Sequence, residues 1–348
     1  MQNSKVTINI AVYNEERRIG ACLSSIFRQR YPRGDLEVLV VDGMSNDKTV
    51  EVARRYPIKV IANEKRDPAT GRLIGLLNAT GDFHIYLDAD MELNGNAWIE
   101  KMVYPMINDS SIIGSFTRFL PRRSDPALNR CLSYNEEQLD PMLAFISPKI
   151  SQTIVASQNG YYICNFEPTK TPIVGVIMFR TEILRALIED FKASWGQWMW
   201  SDVDFPIACA KKGLRKFAYV PDAGIYHKSY ASLRTYLGKK RRDVYWSYLP
   251  TLGKRHAVYI NLKNSREIGK LIAWFFFSNS MFPCLLKGLA ASVKNRDLAC
   301  MYIPILASVT SNYLLLLLLA DIRGRLLLGR ALAKFWETGF GLTGRMQR

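Results

Sequence analysis

Cysteine and histidine are scarce: six and three in 348 residues. Cys22, Cys131, Cys164, Cys209, Cys284 and Cys300 are too far apart for the short paired spacings that build zinc or thiol redox sites. Buried free thiols in a reducing compartment are what this spacing predicts. No internal repeat or low-complexity tract is present, and the opening MQNSKVTINIAVYNEE enters an alternating strand where a signal peptide would place an apolar stretch. A cytosolic catalytic portion is therefore expected. Acidic residues are also in the minority, 31 against 47 Lys and Arg, which leaves a net charge of +16 and a pI near 9.6. That balance calls for an anionic partner and does not choose among nucleic acid, phospholipid and a phosphorylated substrate. The length suits one large α/β domain with an accessory segment, or two small domains.

Between Val6 and Asp90, β-rich runs alternate with stretches of helical spacing. Val6–Val12, Leu36–Val41, Lys59–Ala62 and Phe83–Leu87 read as strands, and Glu15–Arg30, Lys48–Tyr56 and Ala69–Ala79 as helices. This βαβ order predicts a parallel sheet with helices on both faces. Ligands of such sheets bind at the carboxyl ends of the strands, so the loops after Val12, Val41 and Leu87 are where chemistry is expected. From Arg118 to Pro172 the pattern weakens into an irregular region with some helix. A strand over Ile173–Phe179, a helix from Thr181 and a helix over Asp204–Lys212, capped by Gly213, follow.

Past Tyr226 the character changes. HKSYASLRTYLGKKRRDVYWSY mixes positive charge with aromatics at helical spacing, and two apolar segments follow, Leu271–Val293 and Leu298–Ala320. The second has 23 residues and no charge, enough to cross a hydrocarbon core. Pro283 and Lys287 make the first a poorer span and a better re-entrant or interfacial helix. Basic residues flank both, so the positive-inside rule fixes no topology. A crossing hairpin, an in-plane anchor and a core helix pair of a soluble protein all stay open. Lys239, Lys240, Arg241 and Arg242, with Tyr245 and Trp246, suit either closure over a diphosphate or anionic headgroups, where each basic residue contributes about 1 kcal/mol.

Asp88-Ala89-Asp90 ends the strand FHIYL. Two carboxylates two residues apart at a strand terminus can converge on one hard divalent cation that keeps substrate phosphates in its shell. A solvated acidic turn is the plainer alternative. Asp42 can accept hydrogen bonds from a base or ribose, while Ser45 to Asp47 suit helix capping. Tyr13-Asn14-Glu15-Glu16 has the same double reading, because a helix N-terminus favours acidic groups in any case. His227 follows the strand FAYVP and suits a metal or diphosphate site, or an ordinary core position. Trp195, Trp198 and Trp200 suit a wall for a sugar ring or simple packing.

Together VYNEE, VVDGMSNDKT, GRLIGLLNATGD with FHIYLDAD, GVIMFR and SDVDFPIACAKKG, in that order between Val6 and His227, resemble glycosyltransferase family 2. The resemblance implies the GT-A fold: α/β, Rossmann-like, a mostly parallel sheet with helices on both faces, here with a C-terminal apolar helical membrane segment. The expected division is a catalytic domain over 1–227, its nucleotide-sugar half to 92 and its acceptor half from 93, and a membrane-associating region over 228–348. The resemblance places Glu15 and Asp42 on the nucleoside, Arg72 near the diphosphate, and Asp88 and Asp90 on ribose and metal. Val12, Asn14 and Ala89 complete that site. Asp90 is the expected ligand of Mg2+ or Mn2+, with His227 a second candidate. Asp202 maps onto the catalytic base, although Ser201 replaces the acidic residue that commonly precedes it. Gly175, Trp200 and Asp204 are expected on the acceptor side.

The implied activity is inverting transfer from a nucleotide-diphosphate donor, UDP-sugar being the commonest in the family. The acceptor expected is a lipid-linked saccharide or polyprenyl phosphate, at the cytoplasmic face of a membrane with an anionic surface. A general base contributes about 10²–10⁴ in rate; with an anionic lipid phosphate as acceptor Asp202 would only position it. Three other readings compete: a nucleic-acid-binding protein, an inactive transferase-like membrane scaffold and a sugar nucleotidyltransferase. The acidic motifs repel a phosphate backbone, Asp88, Asp90 and Asp202 are intact, and VYNEERR stands where a nucleotidyltransferase would carry a glycine-rich basic loop.

Overall fold

The structure, a computed structural model, describes residues 4–135, 138–169, 171–188, 204–250, 252 and 264–339. It divides into two compact units, the first formed by residues 1–122 and 148–229 and the second by 123–147 and 230–348. Composition changes near Tyr226, but the second unit also draws in the earlier segment 123–147.

The first unit is built on a nine-stranded sheet. Its strands are β1 (Val6–Val12), β2 (Leu36–Asp42), β3 (Lys59–Ala62), β4 (Phe83–Leu87), β6 (Gly114–Phe116), β7 (Ile154–Gln158), β8 (Tyr161–Asn165), β9 (Ile177–Arg180) and β10 (Lys216–Tyr219). The order is β3-β2-β1-β4-β9-β6-β10-β8-β7. β1 pairs in parallel with β2 and β4, and β2 with β3, as the alternating elements predict. β9 enters antiparallel between β4 and β6, and β8 runs against β10 and β7, so these two strands are reversed among otherwise co-directional ones. A separate two-stranded ribbon pairs β5 (Met91–Leu93) with β11 (Ile225–His227).

Period-two alternation puts a core on each face of the sheet. On one face Val6, Ile8, Ile10, Phe83, Ile85 and Leu87 pack with helices Ile19–Phe27 and Trp98–Asn108. On the other, Tyr86, Phe116 and Phe179 pack with helices Pro68–Asn78, Thr181–Ala186 and Asp204–Lys211. The region read as irregular contains the β7–β8 hairpin, turned by Asn159-Gly160 with Gly160 at φ +88°. That conformation suits glycine.

The second unit is helical. Ala127–Ser133 and Pro141–Ile146 pack among Leu233–Arg242, Ser265–Asn279, Met281–Asn295, Tyr302–Ala320 and Ile322–Gly339. The first apolar segment is broken at Ser280 into two helices bent by 80°. Pro283 is tolerated there because it falls in the first turn of the second helix. Among the described residues one helix, Leu298–Ala320, is long and apolar enough to span a bilayer. Its polar side chains face protein: Thr310 meets Tyr236 Oη at 2.7 Å, and Ser311 accepts from Trp274 Nε1 at 2.8 Å. Arg130 donates to both carboxylate oxygens of Asp297, at 2.7 and 3.1 Å, and Tyr134 donates a third hydrogen bond to it. All six cysteines are free and buried.

Candidate active site

The carboxyl edge of β1–β4 is a set of tightly held loops. Among the described residues, five non-glycine residues have positive φ, and Asn14, Met44 and Arg66, in the loops after β1, β2 and β3, are three of them. Strained backbone of this kind is kept where surrounding structure fixes it. Here the fixing is visible: Ser45 Oγ accepts from Asn14 N at 2.9 Å, Asn14 Oδ1 accepts from Asn46 N at 3.0 Å, and Thr49 Oγ1 accepts from Glu15 N at 2.7 Å. Asp42, at the end of β2 and buried, accepts from Ser45 N and, at 2.6 Å, from Ser45 Oγ. Asp47 accepts from Thr49 N, at the first residue of the next helix, and from Glu16 N. Asn14, Glu15, Glu16, Arg17, Arg18 and Asp47 line an open cleft of about 320 Å³.

β4 delivers Asp88 and Asp90 to this edge. The chain then turns into β5, where Met91 pairs with His227 of β11, and Asp90 O accepts from Lys228 N at 3.1 Å. This ribbon brings the imidazole to the acidic pair: one ligand atom each from Asp88, Asp90 and His227 lie within 4.8 Å of one another. His227 Nε2 is 3.3 Å from Asp90 Oδ1. Two carboxylates and an imidazole fit a divalent cation, and the imidazole suits a transition ion such as Mn2+ better than Mg2+, which prefers oxygen. Two arginines border the cluster, Arg72 at 3.4 Å from Asp88 and Arg18 at 3.9 Å from Asp90. Burial raises the Glu15 carboxyl above its ordinary range; Arg18 opposes this, and Asp90, Asp88 and Asp47 add to it.

Packing behind the cluster fixes its members. Asn9, buried in β1, donates to Arg72 O at 2.9 Å. Gly71 and Gly75 let that helix lie close on β1: a Cβ on Gly75 would stand 1.9 Å from Asn9 Nδ2, and one on Gly71 2.9 Å from Ala11 Cβ. His227 is held by Ser229 Oγ, 2.6 Å from Nε2, and by the Phe119 ring, 5.0 Å between centroids. A Cβ on Gly175 would come within 2.0 Å of Phe119, so Gly175 serves that ring. On the ribbon's other side Glu92 accepts from Arg122 at 2.8 Å and is 2.9 Å from Lys228; Arg122 then Lys228 hold its carboxyl down to about 2.

The family model described as Glycosyl transferase family 2 matches residues 7–155. Residues 7–155 carry a glycosyltransferase family 2 domain. Similar curated proteins include a dolichyl N-acetyl-alpha-D-glucosaminyl phosphate 3-beta-D-2,3-diacetamido-2,3-dideoxy-beta-D-glucuronosyltransferase of Methanococcus voltae, 38% identical over 91 residues, 24% of this chain and 28% of the relative. Another is the Escherichia coli UDP-Glc:alpha-D-GlcNAc-diphosphoundecaprenol beta-1,3-glucosyltransferase WfgD, 32% identical over 133 residues, 33% of this chain and 52% of the relative. The matched stretches thus span between 28% and 52% of these relatives' lengths. Among solved structures, the mannosyltransferase PcManGT from Pyrobaculum calidifontis, in complex with GDP-Man and Mn2+, aligns over 90% of this chain and 88% of its own, with a TM-score of 0.51 at 19% identity. The fold is GT-A, with the large mixed sheet described above.

Of the residues singled out from the family 2 pattern, Asn14, Glu15, Asp42, Arg72, Asp88, Asp90 and His227 lie on the carboxyl-edge loops and ribbon, with Val12 and Ala89 in the strand end and turn that carry them. Asp204 is fully buried in the first turn of its helix, and Gly175 packs under Phe119. Asp202, Trp195, Trp198 and Trp200 lie outside the described residues. Sequence reasoning missed Asn9, Arg18, Phe119 and Ser229, and read Ser45 only as a helix-capping residue. For Asn9 a signal existed in the four-residue spacing of Gly71 and Gly75, which marks a close helix approach above a strand.

Proposed function

We propose that this family 2 glycosyltransferase transfers a sugar, with inversion, from a nucleoside diphosphate donor to a lipid-linked acceptor at the cytoplasmic face of a membrane. The observation that carries the reading is the convergence of Asp88, Asp90 and His227 beside Arg72 at the ligand-binding edge of the sheet. UDP is the favoured nucleotide, and WfgD, whose name specifies UDP-Glc, is a relative that supports it. Relatives named for dolichyl phosphate and diphosphoundecaprenol substrates support a polyprenyl-linked acceptor.

In this reading Asn14, Glu15 and Asp42 receive the nucleoside, their loop positions held by Ser45 and Thr49. Asp88, Asp90 and His227 hold a divalent cation, which when bound supplies positive charge for the departing diphosphate. Arg72, whose backbone carbonyl Asn9 holds, adds a guanidinium 3.4 Å from Asp88 on the same side. Asp202 takes the acceptor hydroxyl proton, or positions the acceptor where that is already a phosphate. Large apolar side chains lie exposed on the second unit, among them Phe276, Phe282, Val293, Leu298 and Leu316. Exposed apolar side chains of this size suit an apolar partner, here the bilayer.

The test uses the full chain in lipid nanodiscs with a panel of nucleotide sugars, with and without Mn2+ and a polyprenyl-phosphate acceptor. Metal-stimulated transfer is expected in the parent, loss of it in Asp90→Ala, and loss of transfer with donor binding retained in Asp202→Asn. A D90A variant with parental metal-stimulated turnover would overturn the assignment.

A further inference from the structure

The helix Leu233–Arg242 carries four consecutive basic residues, and the fold gives them different roles. Lys240 is withdrawn into the second unit, ion-paired to buried Asp140 and 5.5 Å from the Tyr236 ring. Lys239 lies over Tyr230 at 5.0 Å. Arg241 and Arg242 are exposed, and with Gly238, Tyr245 and Trp246 they line a cleft of about 460 Å³. The indole of Trp246 is 68% exposed.

The position of this cleft within its unit is set by the apolar helix. The chain continues past Arg242 as a π-helical turn, Asp243–Tyr248, whose Val244, together with Leu249, packs on Leu317, while Tyr245 Oη donates to Leu317 O at 3.3 Å. Leu317 belongs to the last turn of Tyr302–Ala320. The guanidinium groups and the two aromatics therefore lie at one end of the 23-residue apolar segment, where a spanned bilayer has its phosphate layer and where aromatic belts form.

Resting on the lipid-acceptor reading above, we propose that this cleft binds the phosphate or diphosphate head of an isoprenoid acceptor lipid. Arg241 and Arg242 clamp the phosphate, and Trp246 and Tyr245 contact the first part of the chain. Planar guanidinium forks match phosphate oxygens bidentately, whereas diffuse attraction to bulk headgroups needs only charge. The cleft also has room beyond one phosphate. Gly238 leaves its wall open: a Cβ there meets nothing within 4 Å.

That glycine supplies a test that leaves charge untouched. Gly238→Leu fills the cleft, keeps both arginines and raises helix propensity, so folding is preserved. Binding of the full chain is measured by co-flotation with zwitterionic vesicles containing either a small fraction of isoprenoid phosphate or phosphatidylglycerol at equal surface charge. Gly238→Leu and Arg241→Gln/Arg242→Gln are each expected to weaken binding to the isoprenoid phosphate vesicles about tenfold or more, the equivalent of one or more charge-assisted contacts. G238L is expected to leave phosphatidylglycerol binding within about twofold, because electrostatic attraction to bulk headgroups depends on charge alone. Parental binding of G238L to isoprenoid phosphate overturns the proposal, and so does an equal loss on both vesicle types, which would mark a general headgroup site. Because the readout is binding, this failure is separate from failure of sugar transfer.

Discussion

His84 sits in the middle of β4, fully buried, its ring 4.5 Å from that of Tyr86, and neither ring nitrogen has a hydrogen-bond partner among the described residues. Burial, with Arg185 adding to it, lowers its basicity from 6.5 to about 3. The native state therefore holds a neutral imidazole, while the unfolded chain takes up a proton as pH falls below 6.5. The stabilisation from this neutral site is complete above pH 6.5 and is lost as pH falls toward 3. Each pH unit in that window costs about 1.4 kcal/mol, so about 2 kcal/mol is gone at pH 5 and about 5 kcal/mol at the foot of the curve. His84→Leu replaces a polar ring that makes no hydrogen bond with an apolar group of similar size and removes the titration. Hydrogen exchange of the β4 amides, read at several pH values with intrinsic rates corrected, gives the local opening free energy of parent and variant. Whatever constant offset the substitution brings, the parent should lose about 2 kcal/mol relative to H84L between pH 7.5 and 5. Parallel curves would refute the assignment of this acid limb to His84.

Gly175→Ala displaces the Phe119 ring that packs on His227, and we expect Mn2+ affinity, titrated by electron paramagnetic resonance, to fall about 10–100-fold, with partial recovery in Gly175→Ala/Phe119→Leu. Gly75→Ala meets Asn9 and should cost about 1–3 kcal/mol in thermal unfolding while weakening donor binding through the displaced Arg72. Arg130→Ala leaves the buried Asp297 carboxylate without its main partner and should destabilise the helical unit by about 3–5 kcal/mol by hydrogen exchange, whereas Arg130→Leu/Asp297→Leu costs less than the single change.

Much of the catalytic unit was legible in the chain. Val6–Val12, Lys59–Ala62 and Phe83–Leu87 form the strands that the sequence predicts: the first and last are buried almost throughout, as central parallel strands are, and Lys59–Ala62 is the partly exposed edge strand. The helix expected over Glu15–Arg30 shortens to Ile19–Phe27, since Asn14 to Glu16 are committed to hydrogen bonds with the Ser45–Thr49 loop. The strand expected from Ile173 begins at Ile177, after Gly175 has met Phe119. The β7–β8 hairpin carried a readable signal in Asn159-Gly160, overridden by the prolines around it. The acidic pair was legible from its strand-end position. His227 was legible as a second candidate ligand, but not the route that brings it there, a three-residue ribbon pairing distant in sequence. Nor could the run Lys239 to Arg242 be divided from sequence alone, since the partner that withdraws Lys240 is Asp140, far along the chain.

The helical unit is discontinuous in sequence, and this has a consequence for biosynthesis. Leu128, Cys131 and Leu132 find their cover in Tyr236, Ala299 and Leu306, which leave the ribosome much later. Until then that stretch is an apolar excursion between two pieces of the catalytic unit, so its burial coincides with emergence of the C-terminal apolar helices. A recombinant fragment ending near Ser229 would keep the excursion uncovered. Soluble expression of the catalytic unit alone therefore calls for replacing residues 123–147 with a short polar linker.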